Sequence, residues 1–212
     1  ADRRVVAIDL PGHGKSAKSL ASPTPETIAR LLAAAMAALD IPRYHVVGHS
    51  YGGLIAGMLA AMNRSAVAGV VLVDPAGAAT EGTSDYLQRF LAATDRKVLK
   101  SVMEMLVADK ELISRSMIAE VMDYRRIDGV QPTLEALAAD LAARTGSFGK
   151  LPDEIARRTL VIWGEKDEVF AASQAATFAA ETVIVPAVGH MPHIEWTEFN
   201  RRIQAFLKAK EE

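Results

Sequence analysis

The sequence predicts an α/β fold with a mainly parallel sheet flanked by helices. Short apolar segments, typical of buried parallel strands, alternate with segments of helical periodicity. A Gly-x-Ser-x-Gly sequence centred on Ser50 joins the second strand to a helical pattern, which places a serine on a tight turn at the carboxyl edge of the sheet. The strands are predicted at residues 5–9, 44–47, 67–73, 159–163 and 182–185.

Residues 10–16, Leu-Pro-Gly-His-Gly-Lys-Ser, form a predicted loop after the first strand. A Walker A loop is excluded, because Asp9 stands where that motif needs its first glycine. A dinucleotide fingerprint is disfavoured, because the prolines at positions 23 and 25 delay the next helix, and His13 is predicted to be a loop residue. Thr24 caps that helix, whose apolar face is predicted to contain Ile28, Leu31, Leu32, Ala35, Met36 and Leu39.

Residues 76–150 contain helical patterns only, inside a chain that otherwise alternates. We therefore predict a core domain formed by residues 1–75 and 151–212, with residues 76–150 inserted as a helical cap. The cap helices are predicted near residues 83–94, 95–108, 109–126 and 132–144. The methionines are expected to fill the cap core or, alternatively, to line an adaptable substrate pocket; they are Met103, Met105, Met117 and Met122.

The last third of the chain returns to the alternating pattern. The strand at 159–163 leads into Gly-Glu-Lys-Asp167, and the strand at 182–185 leads into Pro-Ala-Val-Gly-His190. A helix is expected between them over residues 171–180. A final amphipathic helix is predicted over residues 195–208, with an inward face of Trp196, Phe199, Ile203, Phe206 and Leu207.

Ser50, Asp167 and His190 each follow a predicted strand, and the carboxyl ends of parallel strands meet at one edge of a sheet. A hydroxyl, a carboxylate and an imidazole at that edge can act as nucleophile, orienting acid and general base. The Tyr51 N–H, at the start of the helix behind Ser50, is the expected oxyanion donor. Asp74 also follows a strand and is the alternative acid. Structural or pocket-wall roles are expected for His49 and His193, and His45 is expected to begin a strand.

Composition limits the classes of function. The chain has 212 residues, a formal net charge of −2 and no Cys. No basic stripe suggests a nucleic-acid partner, and no apolar run approaches the roughly 20 residues of a membrane span. The absence of Cys excludes a disulfide framework and thiolate metal sites. It also fits a reducing compartment, so a cytoplasmic location is expected.

Four motifs make the chain resemble the α/β-hydrolase family over nearly its whole length. They are Asp9-Leu-Pro-Gly-His-Gly-Lys-Ser16, Gly48-His-Ser-Tyr-Gly-Gly53, Val161-Ile-Trp-Gly-Glu-Lys-Asp167 and Val188-Gly-His-Met191. Within that family, residues 84–92 and 124–129 of the cap resemble the α/β-hydrolase-like C-terminal domain of bacterial acetoin dehydrogenase acyltransferase (E2) components. The lipoyl domain expected at the front of such proteins is not part of this sequence.

The resemblance also implies a missing part. In the family, an N-terminal region supplies early strands and a His-Gly loop with a second oxyanion N–H, whereas this chain begins at what resembles the fourth strand. We therefore expect an N-terminally truncated form of the fold. The family's third strand lies between the fourth strand and the nucleophile strand, so its absence leaves unpaired backbone groups there. Three outcomes are open: the two strands close up, another chain lends a strand, or the product is unstable.

The resemblance implies a serine hydrolase that acts on an ester or thioester through an acyl-enzyme, or an acyltransferase with a thiol acceptor. A small acyl compound is the expected substrate, and no organic cofactor or metal is expected. Association with further copies of the chain, by strand exchange, or with a multienzyme complex is open. Ser50 argues against a dehalogenase, which carries Asp there, whereas carbon–carbon bond hydrolases, cofactor-free oxygenases and haloperoxidases use similar triads. The alternative from another class is a non-catalytic or assembly domain that keeps the fold.

Overall fold

A single parallel sheet organises the protein. The computed structural model describes residues 3–19, 24–78, 85–144, 148 and 150–210. Within these residues, four strands pair in the order β1-β2-β3-β4, and each pairing is parallel. The strands lie close to their predicted bounds, which confirms the predicted α/β class; they are β1 (Tyr44–His49), β2 (Val67–Val73), β3 (Thr159–Gly164) and β4 (Glu181–Val185).

Helices cover both faces of this sheet. Alternate residues of β2 enter two different cores, because side chains of a strand alternate between its faces. Val70 and Leu72 pack on the side of the first two helices, whereas Val71 and Val73 pack on the side of the last helix. The helices are α1 (Pro25–Ala38), α2 (Tyr51–Met62), α3 (Tyr86–Ala92), α4 (Arg96–Met103), α5 (Arg115–Arg125), α6 (Val130–Ala143), α7 (Asp153–Ala156), α8 (Pro192–Glu195) and α9 (Phe199–Ala209).

None of the helices in the described part of the chain combines the length and the apolar character needed to cross a bilayer.

The start of α1 follows the sequence-based prediction. The Thr24 hydroxyl accepts a hydrogen bond from the Thr27 N–H at 3.2 Å, and proline occupies the first helical position. The predicted apolar face is only partly correct. Ile28 and Met36 are buried, but Leu31 and Leu39 are exposed. The buried stripe is narrower than predicted, because α1 packs mainly against α2 and leaves its outer apolar residues uncovered.

Residues 5–9 do not form the predicted buried strand. They have no strand assignment, and Val5 is 86% exposed. A groove of about 850 Å³ separates this extended segment from β1, and its walls include Val6, Ile8, Val46 and Gly48. Within the described residues, β1 is therefore an edge strand, and the outcome in which the two strands close up is wrong. No ladder joins residues 5–9 to β1, and the groove between the two segments leaves residues 5–9 without a neighbouring strand among the residues that the structure describes.

Helices and short 3₁₀ turns are the regular elements of residues 85–144, in agreement with the all-helical pattern there, although the predicted helix at 83–94 begins outside the described residues. The helix expected at 95–108 ends at Met103 and is followed by a 3₁₀ turn, and the helix expected at 109–126 starts as a 3₁₀ turn and becomes α5 only at Arg115. Leu99, Met103 and Ile118 are among the residues that form a separate apolar cluster. The Arg125 guanidinium donates to the carbonyl oxygens of Phe90, Leu91 and Ala93, and so satisfies the carboxyl end of α3. The limits of the cap as a domain stay a prediction.

The cap is tied to the loop over residues 10–16. The Tyr124 hydroxyl donates to the Gly12 carbonyl oxygen at 2.7 Å. A Cβ at Gly12 would lie 2.6 Å from the Thr133 methyl carbon, so a glycine is needed at this close approach. His13 donates from Nδ1 to the Pro11 carbonyl oxygen at 3.1 Å, which agrees with its prediction as a loop residue.

Outside residues 85–144, two further predicted helices differ from the structure. The helix expected at 171–180 is a short 3₁₀ segment, Ala172–Thr177. Its alanine-rich composition favours a helix but provides few large side chains to anchor a longer one. The helix expected at 195–208 is divided into α8 and α9, because the chain leaves helical geometry at Trp196. Phe199, Phe206 and Leu207 are buried as predicted.

We predict that the unpaired edge of β1 drives self-association. Val47 is 50% exposed on this strand, and a charged side chain on an edge strand opposes pairing with another chain. Val47→Lys should therefore weaken a concentration-dependent dimer by roughly tenfold or more. Sedimentation velocity over a wide concentration range measures this effect.

The matched control is Val98→Lys, because Val98 is similarly exposed, at 45%, on α4 of the cap. A wild-type chain that stays monomeric at every concentration, or a dimer that Val47→Lys leaves intact, would contradict the prediction.

Candidate active site

The loops that carry the predicted site residues leave the same edge of the parallel sheet. Hydrogen bonding continues one residue beyond each strand: Ser50 N–H donates to the Val73 carbonyl, and Asp74 N–H donates to the Ile162 carbonyl, each at 2.9 Å. Glu165 N–H donates to the Val185 carbonyl at the same distance. The loops after β1, β2 and β3 are therefore held in register at one edge of the sheet.

Ser50 occupies a strained turn between β1 and α2. Its φ is +52°, a left-handed value that is uncommon for a residue with a side chain. Its carbonyl oxygen accepts hydrogen bonds from the N–H groups of Gly53, Leu54 and Ala76, which hold the turn in place. Ser50 thus lies at the N-terminal end of a helix, as the sequence predicts.

The two glycines that flank Ser50 have different roles. A Cβ at Gly48 would lie 2.1 Å from the Gly52 carbonyl oxygen, so glycine is required there. A Cβ at Gly52 would meet nothing within 4 Å. The Gly-x-Ser-x-Gly pattern predicts that both glycines prevent collisions in the turn. This prediction is correct for Gly48 and wrong for Gly52, where a Cβ would enter open space.

Tyr51 is the first residue of α2. The first N–H groups of a helix have no acceptor within the helix, and the helix dipole adds positive potential at this end. The Tyr51 N–H is therefore available to donate to negative charge that develops near Ser50, and its role as the oxyanion donor stays a prediction. The Tyr51 hydroxyl is buried, and burial raises its pKa, so the phenol stays neutral.

Asp167 and His190 are brought together. His190 is 2% exposed, and its Nδ1 lies 2.8 Å from Asp167 Oδ2. Because a carboxylate only accepts, Nδ1 carries the proton and Nε2 keeps its lone pair. Asp167 receives further hydrogen bonds from Val169 N–H at 2.7 Å, Phe170 N–H at 2.9 Å and Trp163 Nε1–H at 3.1 Å. These donors stabilise the ionised carboxylate.

His49 links the serine turn to the histidine loop. Its Nε2 donates to the His190 carbonyl oxygen at 2.6 Å, and the two ring centroids lie 4.8 Å apart. Burial, with a smaller contribution from the charge of His190, lowers the pKa of His49 to about 3, so His49 is neutral. Among the described residues, no hydrogen bond joins the Ser50 hydroxyl to His190 directly. His193, whose ring lies 5.0 Å from that of His49, is exposed beside them.

Glu195 is a site residue that the sequence does not reveal. It receives hydrogen bonds from Gly189 N–H at 2.7 Å, Ala108 N–H at 2.8 Å and Asp109 N–H at 3.0 Å. A single carboxylate therefore joins the loop before His190 to the cap. Glu195 belongs to no motif, and the cap residues that it contacts are distant in sequence, so no pattern could have identified it.

Asp74 lies beside the acid–histidine pair. It is fully buried, with φ +42°, and its Oδ1 accepts a hydrogen bond from the Gly164 N–H at 2.8 Å. Potential ligand atoms of Asp74, Asp167 and His190 lie within 4.8 Å of one another. In this arrangement His190 Nδ1 already donates a proton to Asp167, so it offers no lone pair to a metal ion.

Comparisons with known proteins show the family of the chain. The protein family described as "alpha/beta hydrolase fold" matches residues 1–196. The acetyltransferase component of the acetoin cleaving system of Pseudomonas putida, a dihydrolipoyllysine-residue acetyltransferase, is 36% identical over 211 residues, which cover 98% of this chain and 57% of the relative. The corresponding component from Cupriavidus necator is 37% identical, and the match covers 56% of its length. The chain thus spans about half the length of these curated relatives.

Other similar proteins include hydrolases. A 2-hydroxy-6-oxononadienedioate/2-hydroxy-6-oxononatrienedioate hydrolase from Paraburkholderia xenovorans is 31% identical, with 96% of this chain and 76% of the relative covered. Among solved structures, a 2-hydroxy-6-oxo-6-phenylhexa-2,4-dienoate hydrolase from Rhodococcus superposes with a TM-score of 0.82 at 19% identity, covering 94% of this chain and 78% of that one. This structural likeness supports the fold.

We predict opposite effects on stability for the two glycines of the serine turn. Gly48→Ala forces a methyl group against the Gly52 carbonyl and should lower the free energy of unfolding by about 1–3 kcal/mol or more. Gly52→Ala is the matched control: it enters open space in a helix and should raise that free energy by up to about 1 kcal/mol. Urea denaturation measures both values, and equal effects would contradict this description of the turn.

We also predict that His49 makes stability depend on pH. The pKa of His49 is lowered in the folded chain, so its protonation favours the unfolded chain, and stability falls as the pH drops below the ordinary value of about 6.5. His49→Gln keeps an N–H donor for the His190 carbonyl but cannot titrate. Between about pH 7.5 and about pH 5.5, the wild type should lose roughly 1 kcal/mol more of its free energy of unfolding than the variant does.

Parallel denaturation curves for the two proteins would show the difference. Identical pH dependence would mean that His49 titrates normally in the folded chain.

Proposed function

Because the chain belongs to the alpha/beta hydrolase fold family, we propose that it is a serine hydrolase that cleaves an ester or thioester through an acyl-enzyme. The family and the hydrolase-type relatives support an enzyme of this general kind. The specific proposal rests on the buried Asp167–His190 hydrogen bond at the carboxyl edge of the sheet. The strained Ser50, at the start of α2, lies in a loop at the same edge.

In the proposed mechanism, the Ser50 Oγ attacks the acyl carbonyl carbon while its proton passes to His190 Nε2. The lone pair on Nε2 is available because Nδ1 holds its proton toward Asp167. The carbonyl π electrons move to oxygen, and the Tyr51 N–H binds the resulting oxyanion. His190 then protonates the leaving group as the carbon–oxygen or carbon–sulfur bond breaks, which leaves an acyl group on Ser50.

Asp167 orients His190 and stabilises the imidazolium that forms. Its Oδ1 is already held by the Val169 and Phe170 N–H groups, so the Oδ2 that faces His190 cannot rotate away. His49 holds the backbone of the same histidine from the serine side. Together these contacts favour one orientation of the His190 imidazole before substrate binds. Such preorganisation increases the reaction rate of an enzyme of this class.

The acyl acceptor is either water or a thiol. The curated relatives from Pseudomonas putida and Cupriavidus necator are acetyltransferase components of an acetoin cleaving system. Their similarity covers nearly this whole chain, so we propose a domain of such a system, associated with a multienzyme complex, that passes a small acyl group to a thiol. The contact between the cap and the His190 loop through Glu195 gives the cap a means to control entry of the acceptor.

A second candidate function is a non-catalytic or assembly domain. The absence of a direct hydrogen bond between Ser50 and His190 among the described residues favours it, as does the open edge beside the serine strand. In that case the fold would present a surface to partner proteins without acyl transfer.

We predict that Ser50 is the nucleophile. The wild-type chain should react with a fluorophosphonate probe and hydrolyse p-nitrophenyl acetate and butyrate, because both need an activated serine beside an oxyanion donor. Ser50→Ala should lose labelling completely and lose turnover by on the order of 10⁴-fold or more. Intact-protein mass spectrometry of the labelled chain and initial-rate assays measure the two effects.

The control is Ser16→Ala. This serine lies in the loop after residues 5–9, where its hydroxyl bonds to the Asp9 carbonyl at 2.6 Å, and its loss should leave labelling unchanged. Labelling that persists in Ser50→Ala would exclude Ser50 as the nucleophile. A folded wild-type chain without labelling or turnover would favour the assembly domain.

A further inference from the structure

A second carboxyl group lies next to the acid–histidine pair and has no place in the mechanism above. Asp74 follows β2, the neighbour of both the serine strand β1 and the acid strand β3. It is 0% exposed, and its Oδ1 has one donor, the Gly164 N–H. Its Oδ2 is also buried and has no hydrogen-bond partner if the group is an ionised acceptor. A buried carboxylate oxygen without a partner is costly.

The surroundings make it unfavourable for Asp74 and Asp167 to be ionised at the same time. Oxygen atoms of Asp74 and Asp167 lie within 4.8 Å of each other in a water-poor site, and Glu195 adds a further negative charge nearby. Two carboxylates that share such a site do not both ionise, so one of them keeps a proton. The unpartnered Oδ2 of Asp74 then becomes a donor instead of an orphaned acceptor.

The hydrogen bonds decide which carboxyl group keeps the proton. Asp167 accepts from two backbone N–H groups, from Trp163 Nε1 and from His190 Nδ1. Asp74 accepts from one backbone N–H. The charged form is therefore stabilised at Asp167 and not at Asp74. In agreement, burial and the charge of Asp167 raise the pKa of Asp74 well above its ordinary range.

We propose that Asp74 is a neutral carboxylic acid at pH 7 whose Oδ2–H donates to the Asp167 carboxylate, and that it is a positioning residue for the Asp167–His190 pair. This role rests on the proposed function, in which Asp167 is the acid that orients His190. With its Oδ1 on the end of β3 and its Oδ2–H on Asp167, Asp74 holds the Asp167 carboxylate in place beside His190. The negative charge then stays on the group that faces the imidazole.

Reciprocal amide substitutions test which carboxyl group is charged. Asparagine is the isostere of a protonated aspartic acid, and it also tolerates the positive φ of Asp74. Asp74→Asn should keep the rate of fluorophosphonate labelling within about threefold of wild type, because both hydrogen bonds are retained. Asp167→Asn should lower that rate by on the order of 10³–10⁴-fold, because the charge is lost.

A separate substitution tests the positioning role of Asp74. Asp74→Gly suits the backbone conformation but removes the donor, and it should lower the labelling rate by up to roughly a hundredfold through loss of alignment. Asp74→Asn then acts as the conservative rescue. If Asp74→Asn loses activity while Asp167→Asn keeps it, Asp74 is the ionised acid and the proposal is overturned. If Asp74→Gly labels as fast as wild type, the positioning role is overturned.

A measurement without activity separates this proposal from the proposed function. Infrared difference spectra of wild type and Asp74→Asn at pH 7 should show the C=O stretch of a buried protonated carboxylic acid, present in the wild type and lost in the variant. Absence of this band overturns the proposal. A wild-type chain that shows the band but no labelling would refute the serine hydrolase while leaving the proton on Asp74 established.

Discussion

The parallel register of the sheet is the constraint on which the site depends. Each strand from β1 to β3 is followed by an N–H group that bonds to the neighbouring strand or its last carbonyl, so the ladder extends into the loops. This extension fixes the backbone of Ser50, Asp74 and Glu165 relative to one another. A slip of two residues along any pairing would keep the side chains on the correct faces but would move one loop by more than 6 Å. The core residues of β2 on both faces oppose such a slip.

Close approaches of backbone to backbone then set the positions of the loops. A Cβ at Gly164 would lie 1.9 Å from the Gly189 carbonyl oxygen, and one at Gly189 would lie 2.7 Å from the Ala108 N–H nitrogen. The loop that carries His190 is therefore held between the end of β3 and the cap, with no side chain between them. Glu195 completes this arrangement by accepting N–H groups from both sides. The cap and the histidine loop thus form one connected unit.

Much of the fold and of the candidate site could be predicted from the sequence, because the sequence patterns that indicate them are local. Strand bounds, the Thr24 cap and the Gly48 turn all depend on residues close in sequence, and the order of Ser50, Asp167 and His190 indicated a common edge. Asp74 could be identified as an alternative acid, but its burial beside Asp167 and the contacts of Glu195 could not be predicted, because they depend on neighbours from other strands and from the cap. The prediction of a buried strand at residues 5–9 was wrong for a related reason. These residues have the composition of a buried strand, but burial requires a partner strand at the correct distance.

The two halves of the candidate site differ in how firmly they are supported. Asp167 follows β3, which is paired on both sides and buried along its length. His190 follows the edge strand β4, but its loop is packed against the end of β3 and bonded to Asp167. Ser50 follows β1, which is paired on one side only and borders the groove. Local opening of a protein begins where backbone groups and apolar surface are least covered. The serine turn should therefore fluctuate more than the acid–histidine pair, and the His49 contact to the His190 carbonyl is the described hydrogen bond that couples them. Any partner that pairs with the free edge of β1 would consequently order the serine turn without altering the Asp167–His190 pair.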